Sequence, residues 1–226
     1  MEKYAIIVAG GKGSRFKSEI PKQFHELAGK PVLMHSIEAF YNYQHDIKIY
    51  VVLPADQIDH WLKLCEKFRF KVAHSIIEGG NVRFYSVKNA LDLINLDALV
   101  AIHDGVRPLI DYETIDRCFK TASSSGNAIP VVNLVDSVRL VFPNGKNRHV
   151  DRSIYRLIQT PQVFQTTLIK KAFEQNFSEL FTDDASVLES IMPGTIKLVE
   201  GNRRNIKITT HEDLLYAEAI FKNLTK

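Results

Sequence analysis

Short apolar runs of strand length and amphipathic stretches of helical period alternate along most of the chain. Strands are predicted at 5–9, 47–53, 71–77, 98–103 and 128–132, and helices at 32–43, 58–68, 83–94 and 114–122. This alternation predicts an α/β fold, in which a mostly parallel sheet carries helices on both faces. Ligands bind such sheets beyond the carboxyl ends of the strands. The loops that leave those ends, 9–22, 78–83 and 104–108, are therefore expected to meet in space.

The alternation breaks in the last third of the chain. Residues 138–150 are typical of a β-hairpin around Asn144-Gly145, and a late hairpin of this kind is either an arm that packs on a second subunit or an extension of the same sheet. Further helices are expected at 166–176, 184–191 and 209–223, and short strands at 196–199 and 206–208. Thr209 and Glu212 have the spacing of a capping box at the start of the last helix.

Composition limits the class of protein. The 226 residues, 45% of them hydrophobic, suit one compact domain over 1–226. The net charge of +3 and the absence of a basic run argue against nucleic-acid binding. Cys65 and Cys118 are too few for a disulfide framework or a zinc site, so a reducing cytoplasm is expected. The first residues lead into a strand rather than a signal peptide, and no apolar run is long enough for a membrane span.

Glycines and cations follow the first strand closely. Gly10, Gly11 and Gly13 lie within four positions and allow the backbone to turn sharply beside a bulky group. Arg15 and Lys22 add two cations to the same turn. Backbone N–H groups and cations both complement anionic oxygens, so this stretch predicts a polyphosphate site.

Three phosphate-binding motifs compete for this stretch. A Walker A loop is excluded because no Gly-Lys here is followed by Ser or Thr. The dinucleotide fingerprint fits in part through Gly11-x-Gly13, but Phe16 occupies the third small position and no acidic residue ends a second strand at the expected distance. The nucleotidyltransferase signature, Gly-Gly-x-Gly-x-Arg followed by Pro-Lys, is complete.

Two later loops carry further candidates for nucleotide binding. Gly79 and Gly80 precede a helix whose first turns hold Arg83 and Ser86, so the backbone there can approach a flat base; an ordinary turn with a solvated arginine is the alternative. Asp104 ends a strand and suits ribose hydroxyls or a metal ion, with Arg107 as its ion-pair partner. A plain Asp–Arg pair that holds the loop is equally compatible.

Arg152 and Lys207 lie near hydroxyl-bearing residues and suit a phosphorylated polyol, with surface ion pairing as the alternative for each. A phosphate monoester is a dianion near neutral pH because its second pKa is about 6, so it attacks without a general base. Catalysis then consists of bringing two anions together and stabilising charge at phosphorus. Two cations for a triphosphate, Arg15 and Lys22, and two for an acceptor fit that task.

The motifs AGGKGSRF, PKQF, EGG, HDGVRP, VDRS, QTPQVF, TDDAS, VEG and NIKIT occur in this order, nearly end to end. Together they resemble the 2-C-methyl-D-erythritol 4-phosphate cytidylyltransferases of the non-mevalonate isoprenoid pathway. The resemblance implies a Rossmann-like nucleotidyltransferase fold and the reaction of CTP with methylerythritol phosphate. It also implies a homodimer, with 136–152 as the dimerisation arm that reaches the partner's site. Mg²⁺ or another divalent cation is implied, held mainly by the CTP phosphates with Asp104 as a possible ligand.

The resemblance also implies roles for residues, position by position. Arg15 and Lys22 would stabilise the transition state at the α-phosphate, and Arg152 and Lys207 would position the acceptor phosphate. The implied nucleotide-binding residues are Ala9, Gly10, Gly11, Gly13, Gly79, Arg83, Ser86 and Asp104. The implied positions around the polyol are Ser137, Thr160 and Thr182.

Three other hypotheses share part of this evidence. Gly105-Val106 replaces a frequent Ala-Ala and favours the related ribitol 5-phosphate cytidylyltransferases, whereas 184–186 and 204–207 favour the methylerythritol enzymes. An NAD-type dehydrogenase is a different class, suggested by Gly11-x-Gly13 and opposed by Phe16. A nucleotide-binding module without activity is opposed by the presence of all four cations. We expect no second catalytic domain after residue 226, and so not the fused bifunctional form.

Overall fold

The computed structural model describes residues 1–10, 16 and 20–224. The strands are β1 (Glu2–Val8), β2 (Glu26–Leu27), β3 (Lys30–Pro31), β4 (Lys48–Leu53), β5 (Ser75–Glu78), β6 (Ala98–Asp104), β7 (Asn127–Asn133), β8 (Val138–Val141), β9 (Asn147–Val150), β10 (Arg156–Ile158), β11 (Gln162–Gln165) and β12 (Leu198–Glu200). The helices are α1 (Val32–Tyr43), α2 (Ala55–Lys67), α3 (Arg83–Leu91), α4 (Tyr112–Ser125), α5 (Thr166–Ala172), α6 (Asp184–Glu189) and α7 (His211–Leu224). None of the helices in the described part of the chain has the length and apolar character needed to cross a membrane.

The main sheet has eight strands, in the order β10-β7-β11-β6-β1-β4-β5, with β12 also paired to β7. The pairs β5–β4, β4–β1, β1–β6 and β12–β7 are parallel. Only β10 and β11 run against the others, through antiparallel pairs with β7 and β6. The predicted α/β fold with a mostly parallel sheet is confirmed, although β10 and β11 were not predicted.

Both faces of the sheet are covered, because successive side chains of a strand point to opposite sides. From β1, Ala5 and Ile7 pack on one face against α1, α2 and α4. Tyr4, Ile6 and Val8 pack on the other face against α3, α5 and α6. β1 is therefore a central strand, buried on both sides, and its carboxyl end lies in the middle of the sheet edge.

The hairpin predicted at 138–150 forms as β8 and β9, with Val138 opposite Val150. Gly145 has φ +78°, the left-handed conformation that favours glycine in such a turn. The hairpin is a two-stranded sheet separate from the main one. Leu140, Val141 and Phe142 on it are exposed apolar side chains.

Two local predictions near the C-terminus need correction. Residues 206–208 do not form a strand: Ile208 is buried and donates one backbone hydrogen bond to the carbonyl of Val106. The cap of α7 begins one residue later than predicted. Thr210 and Asp213 form it, since the Asp213 carboxylate accepts from the N–H of Thr210 and the Thr210 hydroxyl accepts from the N–H of Asp213.

Candidate active site

The three loops that follow β1, β5 and β6 meet at one cavity of about 480 Å³, as the strand order requires. The residues assigned from the sequence that line it are Ala9, Gly10, Lys22, Arg83, Ser86, Asp104 and Lys207. Gln23, Pro54, Asn81, Val82 and Val106 line it as well and had no assignment from the sequence.

The glycine pair after β5 brings its backbone against α3. A Cβ on Gly80 would lie 2.4 Å from the Cβ of Tyr85, and one on Gly79 would lie 3.0 Å from the Ser86 hydroxyl oxygen. The N–H of Gly80 donates to that same hydroxyl at 3.1 Å. Gly80 must therefore remain without a side chain, and the close packing holds Ser86 at the cavity wall.

Lys22 begins a single 3₁₀ turn, Lys22–Phe24. The other two side chains of this turn, Gln23 and Phe24, are buried. Gln23 is 1% exposed and donates its amide hydrogens to the carbonyl of Ala9 at 2.8 Å and to the Gln57 side chain at 2.7 Å. Phe24 packs in the core with its ring stacked on Trp61. The turn that carries Lys22 is thus tied to the end of β1. Gln23 belongs to the PKQF motif, but nothing in the sequence indicated its hydrogen bond to the carbonyl of Ala9.

Asp104, at the end of β6, is surrounded by cations. The distances from its carboxylate are 3.0 Å to Lys207, 3.2 Å to Arg107 and 3.9 Å to Arg83. Burial alone would raise the pKa of Asp104, but the three cations outweigh burial and hold that pKa well below its usual range. The carboxylate is therefore ionised at neutral pH. The predicted pair with Arg107 is present, and Lys207 joins it from a distant part of the chain.

Arg83 makes a two-pronged ion pair that the sequence did not indicate. Its guanidinium donates to both carboxylate oxygens of Asp184, at 2.8 and 2.7 Å. Burial opposes the charge of Arg83, but the carboxylates of Asp184 and Asp104 outweigh it and raise the pKa of Arg83 above its ordinary value. Arg83 is therefore a fixed cation at the cavity wall rather than a solvated surface group.

We expect Asp184→Asn to lower the free energy of unfolding by about 3 kcal/mol, because it removes the closer of the two buried carboxylates that pair with Arg83. The Asp184 side chain is 1% exposed. Urea unfolding followed by circular dichroism measures the loss. The matched control is Asp92→Asn in the exposed Lys88–Asp92 pair, where we expect a change below about 0.5 kcal/mol. Equal losses in the two variants would contradict a stabilising role for the buried pair.

Thr160 lies behind Asp104. Its hydroxyl accepts from the N–H of Asp104 at 3.1 Å and is 3.0 Å from Nδ1 of His103. Both Thr160 and His103 are buried. Burial lowers the pKa of His103 to about 4, so its ring is neutral near pH 7. The contacts that the structure describes for the Thr160 hydroxyl are therefore made to groups of the protein itself.

Other residues assigned from the sequence lie elsewhere. The described residues that line the cavity do not include Ser137, Arg152 or Thr182, which are exposed. Arg152 follows the hairpin and donates to the carbonyl of Val135. Gly11, Gly13 and Arg15 lie outside the described residues.

A larger, more open groove of about 970 Å³ runs along β7, β12 and the start of α4. Its charged residues include Arg117 and Arg203, which already donate to the main-chain carbonyls of Glu200 and Asn133. The described residues of the loops 9–22, 78–83 and 104–108 do not line this groove. We therefore place the candidate active site in the smaller cavity.

Among the described residues that line the cavity, Asp104 is the single carboxylate. Within residues 1–10, 16 and 20–224, no group of three or more His, Cys, Asp or Glu side chains is arranged to hold a metal ion. Mg²⁺ is commonly bound by one or two carboxylates together with substrate phosphates. Asp104, ionised and at the cavity wall, fits the place of a single protein ligand in such a set.

Comparisons with known proteins agree with this geometry. A family model described as 2-C-methyl-D-erythritol 4-phosphate cytidylyltransferase matches residues 4–223. The chain is 51% identical to a protein of that name from Bacteroides fragilis, over 96% of this chain and 98% of that protein. Two solved structures are also similar. One is 4-diphosphocytidyl-2C-methyl-D-erythritol synthase from Anaerococcus prevotii, with a TM-score of 0.82 and 26% identity over 98% of this chain and 96% of that one.

The second is 2-C-methyl-D-erythritol 4-phosphate cytidylyltransferase from Thermus thermophilus, with a TM-score of 0.79 and 29% identity over 98% of this chain and all of that one. These matches extend over nearly the whole sequence and the whole fold. They do not favour the ribitol 5-phosphate alternative. The chain belongs to the 2-C-methyl-D-erythritol 4-phosphate cytidylyltransferase family.

Proposed function

We propose that this chain transfers the cytidylyl group of CTP to 2-C-methyl-D-erythritol 4-phosphate, giving 4-diphosphocytidyl-2-C-methyl-D-erythritol and pyrophosphate. Family membership supports the reaction. The observation that carries the mechanism is that Lys22, Asp104 and Lys207 line one cavity with the glycine turns. That arrangement suits two phosphorylated substrates better than it suits a dinucleotide cofactor.

The acceptor phosphate is the nucleophile. Its second pKa is about 6, so near pH 7 it is a dianion and needs no base. One of its oxygens forms a bond to the α-phosphorus of CTP, while the bond from that phosphorus to the bridging oxygen breaks and pyrophosphate leaves with the electron pair. The protein's task is to align two anions and to stabilise charge at phosphorus.

The residues assigned from the sequence divide between the two substrates. Ala9 and Gly10 offer main chain to the nucleotide, and Gly79 and Ser86 are proposed to contact the cytosine. Lys22, with Arg15, is proposed to stabilise the charge that develops at the α-phosphate. Lys207 is proposed to hold the acceptor phosphate, and its exposed side chain reaches the cavity from the segment before α7.

Mg²⁺ is proposed as the metal ion, held by the CTP phosphates with Asp104 as the protein ligand. When bound, it would neutralise charge on the triphosphate and polarise its oxygens. Arg83 and Arg107 hold the Asp104 carboxylate in place from two sides. Their charges also keep Asp104 ionised and ready to serve as a ligand.

We further propose a homodimer in the cytoplasm, in which the hairpin packs on the partner. The exposed apolar side chains of β8 and its turn support this arrangement, since a dimer would cover them. Arg152 follows the hairpin and does not line the cavity of its own chain. Cys65 and Cys118 are both free, which suits a reducing compartment.

Pyrophosphate release tests the proposed reaction. The protein is incubated with CTP and Mg²⁺, and either methylerythritol phosphate or ribitol 5-phosphate is added. We expect release with methylerythritol phosphate and much slower release with ribitol 5-phosphate. Faster release with ribitol 5-phosphate would overturn the acceptor assignment, and release with neither acceptor would overturn the proposed function.

Lys207→Ala is expected to damage use of the acceptor while CTP binding stays largely intact. Loss of one hydrogen bond to a charged phosphate costs about 1.5–3 kcal/mol, so kcat/KM for the acceptor should fall about 10- to 100-fold. Calorimetric titration with CTP and Mg²⁺ measures the affinity for CTP. Lys120→Ala is the control: Lys120 is exposed and pairs with the half-buried Asp116, and its loss should change neither quantity. A collapse of CTP affinity in Lys207→Ala would place Lys207 on the triphosphate instead.

A further inference from the structure

We propose that His103 is a positioning residue for the cytidylyl transfer and that it acts through Thr160 and Asp104. The proposal rests on the proposed function, because Asp104 is assigned there to the nucleotide and its metal ion. His103 is fully buried in β6, and the described residues that line the cavity do not include it. Its influence on the reaction therefore passes through the residues that it holds.

The two ring nitrogens of His103 have different partners, and these partners fix the tautomer. Nε2 lies 3.2 Å from the carbonyl oxygen of Arg107. A carbonyl can only accept, so Nε2 carries the hydrogen. The ring is fully buried, and its partners at the two nitrogens are a carbonyl and a hydroxyl rather than a carboxylate. A charged ring would lack a contacting counter-ion there, so the ring is neutral and Nδ1 is an acceptor. The Thr160 hydroxyl, 3.0 Å away, donates its hydrogen to Nδ1.

This donation leaves the Thr160 hydroxyl with one orientation. A threonine hydroxyl carries one hydrogen and two lone pairs, and it ordinarily rotates to suit its neighbours. Here the hydrogen points to His103, so a lone pair faces the N–H of Asp104 at 3.1 Å. A buried N–H without an acceptor would cost about 1–3 kcal/mol. His103 thus fixes the direction of the hydroxyl that accepts from the main chain of Asp104.

The same network extends to the acceptor side of the cavity. The guanidinium of Arg107 contacts the Asp104 carboxylate at 3.2 Å and donates to the carbonyl of Asn205 at 2.9 Å. The amide of Asn205 donates in turn to the carbonyl of Thr160 at 2.8 Å. Asn205 lies two residues before Lys207, so the network holds both members of the Asp104–Lys207 pair.

Two substitutions isolate the link between His103 and Thr160. Thr160→Val removes the hydroxyl and keeps the shape of the side chain. His103→Gln places an amide donor near the position of Nε2 and leaves the Thr160 hydroxyl without its acceptor. Each variant should lower kcat about tenfold or more, because small misplacement of a reacting centre has effects of that size. The KM for CTP should rise less than kcat falls, since Asp104 is one of several groups assigned to the nucleotide and Lys22 and Ser86 are untouched.

The double variant tests whether the two residues act as one unit. If they do, Thr160→Val combined with His103→Gln should be no slower than the worse single variant. Rates are taken per folded molecule, below the unfolding temperature of each variant. The proposal would be overturned if the fall of kcat in the double variant equalled the product of the two single falls. A kcat within twofold of wild type in Thr160→Val would also overturn it.

Two controls separate positioning from loss of stability. Thr160→Ser keeps the hydroxyl and should recover most of the lost kcat. His35 is a second buried histidine, with Nε2 at 2.6 Å from the carbonyl of Leu27, and it does not line the cavity. His35→Gln should lower the unfolding temperature without lowering kcat per folded molecule. An equal fall of kcat in His35→Gln would show that general loosening explains the result.

Nitrogen-15 NMR of the imidazole rings gives a readout that needs no turnover, with the His103 signals assigned by their loss in His103→Gln. We expect hydrogen on Nε2 and none on Nδ1 in the wild type, and a shifted Nδ1 signal in Thr160→Val. Hydrogen on Nδ1 would overturn the proposal even in an active enzyme. An inactive wild type with hydrogen on Nε2 would instead contradict the proposed function and leave the hydrogen-bond network intact.

Discussion

Replacing Lys22 by alanine is expected to lower kcat by about 10² or more, the scale for one preorganised group that stabilises charge in a transition state. Lys22 lines the cavity on a turn that Gln23 ties to the end of β1. That tie fixes the main chain that carries Lys22 before the substrates bind, so less reorganisation is needed during the reaction. CTP affinity should fall less than kcat, since the glycine turns and Ser86, which are proposed to contact the nucleotide, are unchanged.

Steady-state pyrophosphate release and calorimetric titration with CTP measure the two effects of Lys22→Ala separately. Lys67→Ala is the matched control, because Lys67 lies in an exposed pair with Glu26 and should leave both quantities unchanged. Lys22→Arg keeps the charge with a larger, planar group and should recover only part of the rate. A kcat for Lys22→Ala within a few-fold of wild type would remove Lys22 from the transition state.

The sequence predicts the parallel half of the sheet well because its signals are local. A run such as Ala5 to Val8 is apolar at every position, which indicates a strand buried on both faces. β11 lies at the centre of the same sheet, between β6 and β7, yet it was not predicted. It has only four residues and begins and ends with glutamine, so neither its length nor its pattern indicates burial.

A strand also needs a partner, which no local pattern supplies. Residues 206–208, Ile-Lys-Ile, have the alternation of a strand. In the structure this segment makes a backbone bond from Ile208 to Val106 and is assigned to no sheet. The register and the neighbour of a strand are set by the rest of the fold, so a three-residue pattern is weak support for a strand.

The same distinction applies to the site. The meeting of three loops follows from the rule that parallel strands end at one edge, and the sequence predicts it. Whether Arg83 is solvated does not follow from any local pattern. Its partner Asp184 lies 101 residues further along the chain and could be paired with Arg83 only once α3 and α6 had been placed on the same face. The partners of the Thr160 hydroxyl depend on tertiary packing in the same way.

The hairpin leads to a prediction about how the two chains of the proposed dimer share their sites. Arg152 is exposed, lies two residues after the end of β9 and does not line the cavity that holds Lys22 of the same chain. Exposed apolar residues stand before and after Arg152 in the sequence: Leu140, Val141, Phe142, Ile154, Tyr155, Leu157 and Ile158. If these residues pack on a partner, Arg152 acts in the partner's active site while Lys22 acts in its own.

Mixing two inactive variants tests this arrangement. Lys22→Ala and Arg152→Ala homodimers should each be nearly inactive. In a mixed dimer, one site combines an intact Lys22 from one chain with an intact Arg152 from the other, and the second site carries both lesions. After random exchange half of the dimers are mixed and each has one intact site, so roughly a quarter of wild-type activity should return. If both residues served a site within one chain, every site would carry one lesion. No recovery of pyrophosphate release, with subunit exchange confirmed by differently tagged chains, would therefore contradict the shared site.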